Sequence, residues 1–441
     1  MNVAVVALGK IGLPLAIQIA SKGWRVRGAD VSETLVESVN AGRAPFPGEA
    51  GLEERLRSVT DAGLLTATTD TTAAVAASDK VVVVVPLVTQ SSGVPDFAAL
   101  DAATGDIGKG LRSGTLVSYE TTLPVGTTRN RFLPMLQDAT GMTVGNDFYL
   151  VHSPERVFSG RIFQDLRRYP KLVGGVERGS SEQGRDFYSK ILDFDDRPDL
   201  DRENGVWVMA SSEAAEMAKL AETTYRDVNI ALANEFARFA EHIDLNLSQV
   251  IEAANSQPFS HIHQPGVAVG GHCIPVYPRF YLSGDPDATL VKTARIVNDG
   301  VPARVVERVS SALGGLVDKE ILIMGASYRG GVKEVAYSGV FDLRDAIESH
   351  GGRAVVSDPL YRPSELLALG LSPWAGGEID AAIVQADHAE YRTLAPNDMP
   401  GARLVFDGRG ILDLALWRDA GTEVWVIGEG ERNHAAAPPY P

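Results

Sequence analysis

The sequence predicts an α/β protein of two doubly wound, parallel-sheet domains joined by a long central helix. Three observations predict it. Short β-branched runs alternate with helical stretches through residues 1–205, the alternation starts again near Lys319, and an unbroken helical pattern from residue 211 to about 242 lies between. Alternation of this kind calls for parallel strands with crossover helices covering the sheet. A chain of 441 residues also exceeds what one hydrophobic core supports. The expected division is 1–205, a central helical region at 206–310, a second α/β domain at 311–430 and a tail at 431–441.

Composition bounds the function. Hydrophobic residues at 44% and charged residues at 22% describe an ordinary globular chain. With 41 Lys+Arg against 57 Asp+Glu, the net charge of −16 argues against a nucleic-acid binder, which needs a basic face. A local basic pocket for a small anion stays compatible with that total. The one cysteine, Cys273, excludes intrachain disulfides and cysteine-built metal cages and points to the cytoplasm. His261, His263 and His388 lack companions at ligand spacing, so no metal is expected. The apolar start lacks a basic leader and is interrupted by Lys10 and Gly12, and the run 81–85 is too short for a bilayer. No membrane partner is expected.

The elements follow in order. Residues 2–8 read as a strand, Gly9-Lys10-Ile11-Gly12-Leu13-Pro14 as a turn, 15–20 as a helix and 25–29 as a strand ending at Asp30. Strand, glycine turn, helix, strand and acid form the Rossmann-like dinucleotide-binding pattern. Its glycines admit a pyrophosphate to the helix N-terminus, and Asp30 would bind the adenosine ribose, which favours NAD. Ala7 stands where the first glycine of that fingerprint belongs. Further parallel strands are expected at 80–85, 115–119 and 148–152.

In the central pattern Ala214, Met217, Ala218, Ala221, Tyr225, Val228, Ala231, Leu232 and Phe236 recur at steps of three and four. Glu213 and Glu216 occupy its first turn, where the helix dipole favours acids. Such a helix would span about 45 Å, join the domains and offer a dimer surface. The second domain reads as strand 320–324, turn 325–329, helix 340–350 and strand 353–357 ending at Asp358, then strands 381–384, 404–406 and 423–427. From 428 onward the tail is polar, rich in Pro and Ala, and expected to be disordered.

Cys273 follows Pro265-Gly266-Val267-Ala268-Val269-Gly270-Gly271-His272 and precedes Ile274-Pro275. A cysteine that merely fills a core needs no glycine-rich approach, whereas a nucleophilic thiolate needs access. The context favours chemistry.

Together the Ala7–Pro14 stretch, Glu120-Thr121-Thr122-Leu123-Pro124-Val125-Gly126-Thr127, Ser153-Pro154-Glu155-Arg156, Glu216-Met217-Ala218-Lys219-Leu220, Asn234-Glu235, Gly270-Gly271-His272-Cys273-Ile274-Pro275 and Asp407-Gly408-Arg409 closely resemble the UDP-glucose/GDP-mannose dehydrogenase family. The resemblance covers nearly the whole chain. It implies an NAD-binding domain, a helical dimerisation region giving a homodimer, and a C-terminal nucleotide-sugar domain. The implied reaction is four-electron oxidation of a nucleotide hexose at C6, through a thiohemiacetal and a thioester on a cysteine.

Carried over by position, Cys273 is the nucleophile, Lys219 steadies the oxyanion, Glu155 handles protons or activates water, and Thr122 lies near cofactor and water. Gly9, Lys10, Ile11, Gly12, Asp30, Pro86 and Thr122 would hold NAD. Glu155, Arg156, Val157, Lys219, Gly270, Arg329 and Arg409 would hold the sugar nucleotide. Taken singly, Lys219 reads as a solvated helix residue and Glu155 as a helix-start acid. The chain departs from the family at Tyr277, where an Asp is usual, Thr223 for Asn, Phe259 and Ala336 for arginines, Arg329 for Lys, and Leu87 for Thr. Residues 153–157, 160–161, 171–175 and 272–276 lean toward the UDP-N-acetylhexosamine branch, with UDP-glucose as the alternative. The departures also keep open a sugar-nucleotide-binding protein with impaired catalysis, or an enzyme that stalls at the aldehyde or thioester.

Overall fold

The computed structural model describes residues 1–90, 93–418 and 421–430, so the tail at 431–441 lies outside the described residues. The chain divides into two compact units, Met1–Glu222 with Arg279–Pro286, and Thr223–Pro278 with Asp287–Pro441.

The first unit is built on strands β1 (Asn2–Val6), β2 (Arg25–Ala29), β3 (Leu65–Thr68), β4 (Lys80–Val83), β7 (Leu116–Tyr119), β8 (Tyr149–His152), β9 (Lys171–Gly175) and β10 (Val206–Val208), with a small antiparallel hairpin of β5 (Val88–Thr89) and β6 (Pro95–Asp96). The eight-stranded sheet has the order β10-β9-β8-β7-β4-β1-β2-β3. Strands β3, β2, β1, β4, β7 and β8 are mutually parallel, and the order reverses between β1 and β4, the switch point at which doubly wound sheets bind ligands. The exceptions are β9, which runs antiparallel to β8, and β10, which pairs parallel with β9 and is reversed with it. Alternation of side chains carries no direction along the sheet, so this reversal had no signal in the sequence. Val3, Val5, Val82, Leu116 and Val151 form the strand side of the core, facing Leu13 and Ile17 of the first helix.

That helix, Gly12–Ser21, begins ahead of the expected residue 15. The turn before it is unusually tight: a Cβ on Gly12 would stand 1.9 Å from the Ala7 carbonyl oxygen. Closing it drives Ala7 to φ 74°, the left-handed region. An L-residue pays about 1–2 kcal/mol for that conformation, and glycine does not. Ala7→Gly is therefore expected to raise the unfolding free energy by about 1 kcal/mol in urea titrations; an unchanged midpoint would show that the turn carries no such strain.

The second unit holds β11 (Glu320–Met324), β12 (Arg353–Ser357), β13 (Ala381–Val384), β14 (Leu404–Asp407) and β15 (Glu423–Val426). They form an all-parallel sheet in the order β12-β11-β13-β14-β15, the other common doubly wound arrangement. Ile321, Ile323, Val356, Ile383 and Phe406 line the core face with Val305, Val309, Leu343 and Ile347 from the covering helices.

The central helix is a single element, Ser212–His242, 31 residues long. Its last turns bring Ala237 and Ala240 into the core of the second unit. The stretch expected to be disordered from 428 begins in order: Gly428 donates its amide to Glu241 Oε1 at 2.9 Å, and its carbonyl accepts the Leu247 amide at 3.0 Å. A polar composition did not reveal that these backbone groups have partners.

Candidate active site

At the carboxyl end of β1 the backbone is open where a phosphate would approach. A Cβ on Gly9 would have nothing within 4 Å, while Gly12 is buried. Lys10 and Ile11 complete the turn into the helix N-terminus. Asp30 is held at the tip of β2 by the Leu8 amide, donating to Oδ2 at 2.8 Å, and the Ser32 amide, donating to Oδ1 at 3.0 Å. Open turn, helix amides and fixed carboxylate fit a dinucleotide. Pro86 is exposed after β4, and Leu87 beside it is buried.

Asp358, the matching strand-ending acid of the second unit, serves the fold instead. It is 5% exposed, and one oxygen, Oδ2, accepts the Ala326 and Ser327 amides at 2.8 and 2.9 Å and faces His388 Nε2 at 3.2 Å.

In the first unit, the loops after β7 and β8 meet the start of β9. Lys171 Nζ donates to Glu120 Oε2 at 2.6 Å and to Glu155 Oε2 at 3.1 Å. The Tyr188 hydroxyl donates to Glu120 Oε1 at 2.6 Å, and the Arg156 amide to Glu155 Oε1 at 2.6 Å. Burial pushes the Glu120 carboxyl up to about 7 against the pull of Lys171. Burial also works to raise Glu155, but the Lys171 ammonium, with the hydrogen bonds it receives, leaves it below the ordinary carboxylate value. Glu155 thus lies in a loop as part of an ion cluster, not at a helix start.

Arg156 Nε donates to Glu222 Oε2 at 2.8 Å, and Lys219 Nζ stands 4.0 Å from the other oxygen of Glu222. Lys219 is 7% exposed at its side chain, so it is not a solvated helix residue. Its helix is fixed one turn earlier: Glu216, fully buried, accepts the Gly126 amide at 2.5 Å and the Thr128 amide and hydroxyl at 2.8 and 2.6 Å. Glu213 pairs with Arg129. Only Glu213 lies in the first turn of the helix, Glu216 following in the second, and both acids anchor the 126–129 turn, a stronger role than compensation of a dipole. Thr122 is buried beside that turn, and Val157 is partly buried against the unit's apolar core.

In the second unit a buried polar chain ends on the cysteine loop. Asp227 Oδ1 accepts Arg295 Nη1 at 2.6 Å and Asn298 Nδ2 at 2.8 Å; Asn298 Oδ1 accepts Asn234 Nδ2 at 2.9 Å; Asn234 Oδ1 accepts the Gly266 amide at 3.0 Å. Arg409 closes the loop from the other side, donating from Nε to the Gln385 carbonyl at 2.6 Å and from Nη2 to the Ala268 carbonyl at 3.3 Å.

The glycines here have a packing reason. A Cβ on Gly270 would meet Tyr328 Cβ at 2.6 Å and the Tyr337 carbonyl at 2.8 Å, and Gly271, at φ 91°, would meet the Tyr328 ring at 2.9 Å. The Gly271 amide donates to the Ala336 carbonyl at 2.9 Å, so position 336 acts here through its backbone. Cys273 is partly buried, and its carbonyl accepts the Tyr277 amide at 2.9 Å at the head of a short helix. Arg329 Nε donates to the Tyr328 hydroxyl at 3.1 Å. Thr223 is buried and Phe259 is 89% exposed.

Three family models match in succession: the NAD binding domain over residues 1–192, the central domain over 213–300 and the UDP binding domain over 322–414 of the UDP-glucose/GDP-mannose dehydrogenase family. The chain belongs to this family. It is similar to the UDP-N-acetyl-D-mannosamine dehydrogenase of Pyrococcus horikoshii, with 33% identity over 93% of this chain and 96% of that protein. It is also similar to the NDP-N-acetyl-D-galactosaminuronic acid dehydrogenase of Ralstonia nicotianae, at 31% identity over 93% and 96%. The solved structure of the Pyrococcus horikoshii UDP-D-ManNAc dehydrogenase superposes with a TM-score of 0.86 at 30% identity, covering 97% of this chain and 99% of that one. The protein is an NAD-dependent oxidoreductase of the nucleotide-sugar 6-dehydrogenase family.

Glu120, which opens one family motif, Lys171, which opens the 171–175 stretch, and Glu222 had no role assigned from the sequence of this dehydrogenase. Glu222 carried a signal, three residues beyond Lys219 on one helix. Glu120 and Lys171 lie 51 residues apart, and nothing in the sequence paired them. Arg295, 5% exposed, and Asp227, fully buried, also went unnoticed. Arg295→Met would strand a buried carboxylate, at a cost of about 3–5 kcal/mol. Denaturant unfolding of that variant should show a loss of this size; a loss below about 1 kcal/mol would mean the pair is solvated.

Proposed function

We propose that this dehydrogenase oxidises the C6 hydroxymethyl group of a UDP-N-acetylhexosamine to a carboxylate, with Cys273 carrying the half-oxidised sugar. The observation that carries the reading is the desolvated ammonium of Lys219 beside Arg156 and Glu222, with Glu155 next along the chain, in a protein whose family oxidises nucleotide sugars. The N-acetylated sugars in the names of both relatives support the substrate class.

NAD bound at Gly9, Lys10, Ile11, Gly12, Asp30 and Pro86 would accept one hydride from C6 in each oxidation. The first hydride loss, with release of the hydroxyl proton, leaves an aldehyde. The Cys273 thiolate adds to it, and Lys219 steadies the oxyanion that becomes a thiohemiacetal. A second hydride loss gives the thioester. Glu155 takes a proton from water as it attacks, the carbon–sulfur bond breaks, and the thiolate is regenerated. Overall, two NAD⁺ and one water are consumed, and one carboxylate forms. Thr122, Thr223 and Tyr277 supply hydroxyls around this chemistry, Tyr277 where the family places an Asp. Arg329, Arg409, Arg156, Val157 and Gly270 are assigned to the sugar nucleotide; Arg409 also holds the cysteine loop.

A homodimer through the central helix belongs to the same reading. Tyr225, Leu232, Phe236 and Phe239 are exposed by 60, 42, 37 and 59% on that helix, an apolar stripe that a second copy would cover. A cytoplasmic setting suits a thiol that must stay reduced.

A panel of UDP- and GDP-hexoses, with NADH counted against product mass, tests the reading. The expected result is two NADH per carboxylate, best with a UDP-N-acetylhexosamine; preference for UDP-glucose would correct the substrate. Cys273→Ala should abolish carboxylate formation, and full production by that variant would refute covalent catalysis. Tyr277, Thr223 and Phe259 favour a second reading, binding without completed turnover. Tight sugar-nucleotide binding with no NADH, or one NADH with an adduct trapped on Cys273, would select it.

A further inference from the structure

We propose that Glu120 and Lys171 are positioning residues that hold Glu155 ionised and give the proton it gathers a buried destination on Glu120. This rests on the base role assigned to Glu155 above. The placement follows from strand direction. Because β9 is antiparallel to β8, with His152 opposite Gly174, the same register carried past His152 sets Glu155 opposite Lys171. Parallel pairing of β7 with β8, Tyr119 opposite His152, brings Glu120 to the same edge. Lys171 Nζ lies between the two carboxylates, 2.6 Å from one and 3.1 Å from the other.

Charge counting gives the consequence. Two carboxylates share one ammonium out of water, so the cluster carries a surplus negative charge and favours one proton. Each carboxylate has two donors, Lys171 and Tyr188 for Glu120 and Lys171 and the Arg156 amide for Glu155, but Glu120 is fully enclosed where the Glu155 side chain is 13% exposed, so Glu120, ionised before the step, is the carboxylate that takes up the proton. When Glu155 takes a proton from water, Lys171 can accept it as it releases one of its own to Glu120 Oε2; the ammonium is conserved and Glu155 is again a carboxylate. A small cavity of about 10 Å³ lined by Pro154, Glu155, Tyr169 and Lys171 has room for a single water beside the base.

The other groups facing the cluster do not compete for this proton. Tyr188 donates to Glu120 and is raised well above the usual phenol range by burial. His152 is pushed down to about 3 by burial and the Lys171 charge, and stays neutral. Asp165 is paired with Arg161, and Arg156 with Glu222.

The test combines infrared titration of buried carboxyl groups in the substrate-free protein with pH profiles of kcat. Wild type should show two buried carboxyls that lose their protons near pH 7, Glu120 and Glu216; the band that shifts in Lys171→Met is the cluster's, and the one that does not shift is Glu216. Glu120→Gln, nearly isosteric, should remove the cluster's signal, move the acid limb of kcat to lower pH and lower kcat by about tenfold or more, with KM nearly unchanged. Lys171→Met leaves two facing carboxylates and should move the acid limb to higher pH. Survival of the cluster's band in Glu120→Gln, or an unmoved acid limb with wild-type kcat, overturns the proposal. Absence of turnover in wild type would instead refute the function above, and the infrared titration would still decide the cluster.

Discussion

Parallel strands must all be entered from one side, so their carboxyl ends share a single edge. In the first unit that edge gathers the loops after β1, β4, β7 and β8, which carry Gly9, Pro86, Thr122 and Glu155. In the second it gathers those after β11, β13 and β14, which carry Arg329, Gln385 and Arg409. Residues distant in sequence become neighbours without any local preference for one another. The hydrophobic cost of exposing these valine- and isoleucine-rich strands on either face is what enforces the arrangement.

Against that background β9 is the informative exception. An antiparallel strand puts its first residue where its neighbours end, so a cation can meet two carboxylates at the functional edge. Burying the three charges is expensive in isolation, and only their mutual proximity offsets the lost hydration. The same logic holds Asp227 and Arg295, from which amide side chains lead to Gly266 at the mouth of the cysteine loop. In both places buried charge fixes the position of a segment that carries a proposed catalytic residue and that loops alone would leave mobile.

Local pattern made much of the fold legible. The strands Arg25–Ala29, Glu320–Met324, Arg353–Ser357 and Ala381–Val384 coincide with the expected ranges, and the central helix departs by one residue at its start. The period of side-chain burial is written directly into such segments. Helix Gly12–Ser21 began earlier than expected because Gly12 and Pro14, poor helix formers, occupy a first turn where no backbone amide needs an internal partner.

The sequence by itself determined the α/β class, the nucleotide fingerprint with Ala7 in a glycine's place, and the isolation of Cys273 behind a glycine run, because these are properties of residue type and spacing. Only the tertiary structure decided that Gly270 and Gly271 make room for Tyr328, that Asp358 is spent on amides, and that Lys219 is desolvated while Glu155 shares Lys171 with Glu120. Those facts depend on strand direction and on which charges are excluded from water together. Both arise from packing across long sequence separations, which no local pattern records.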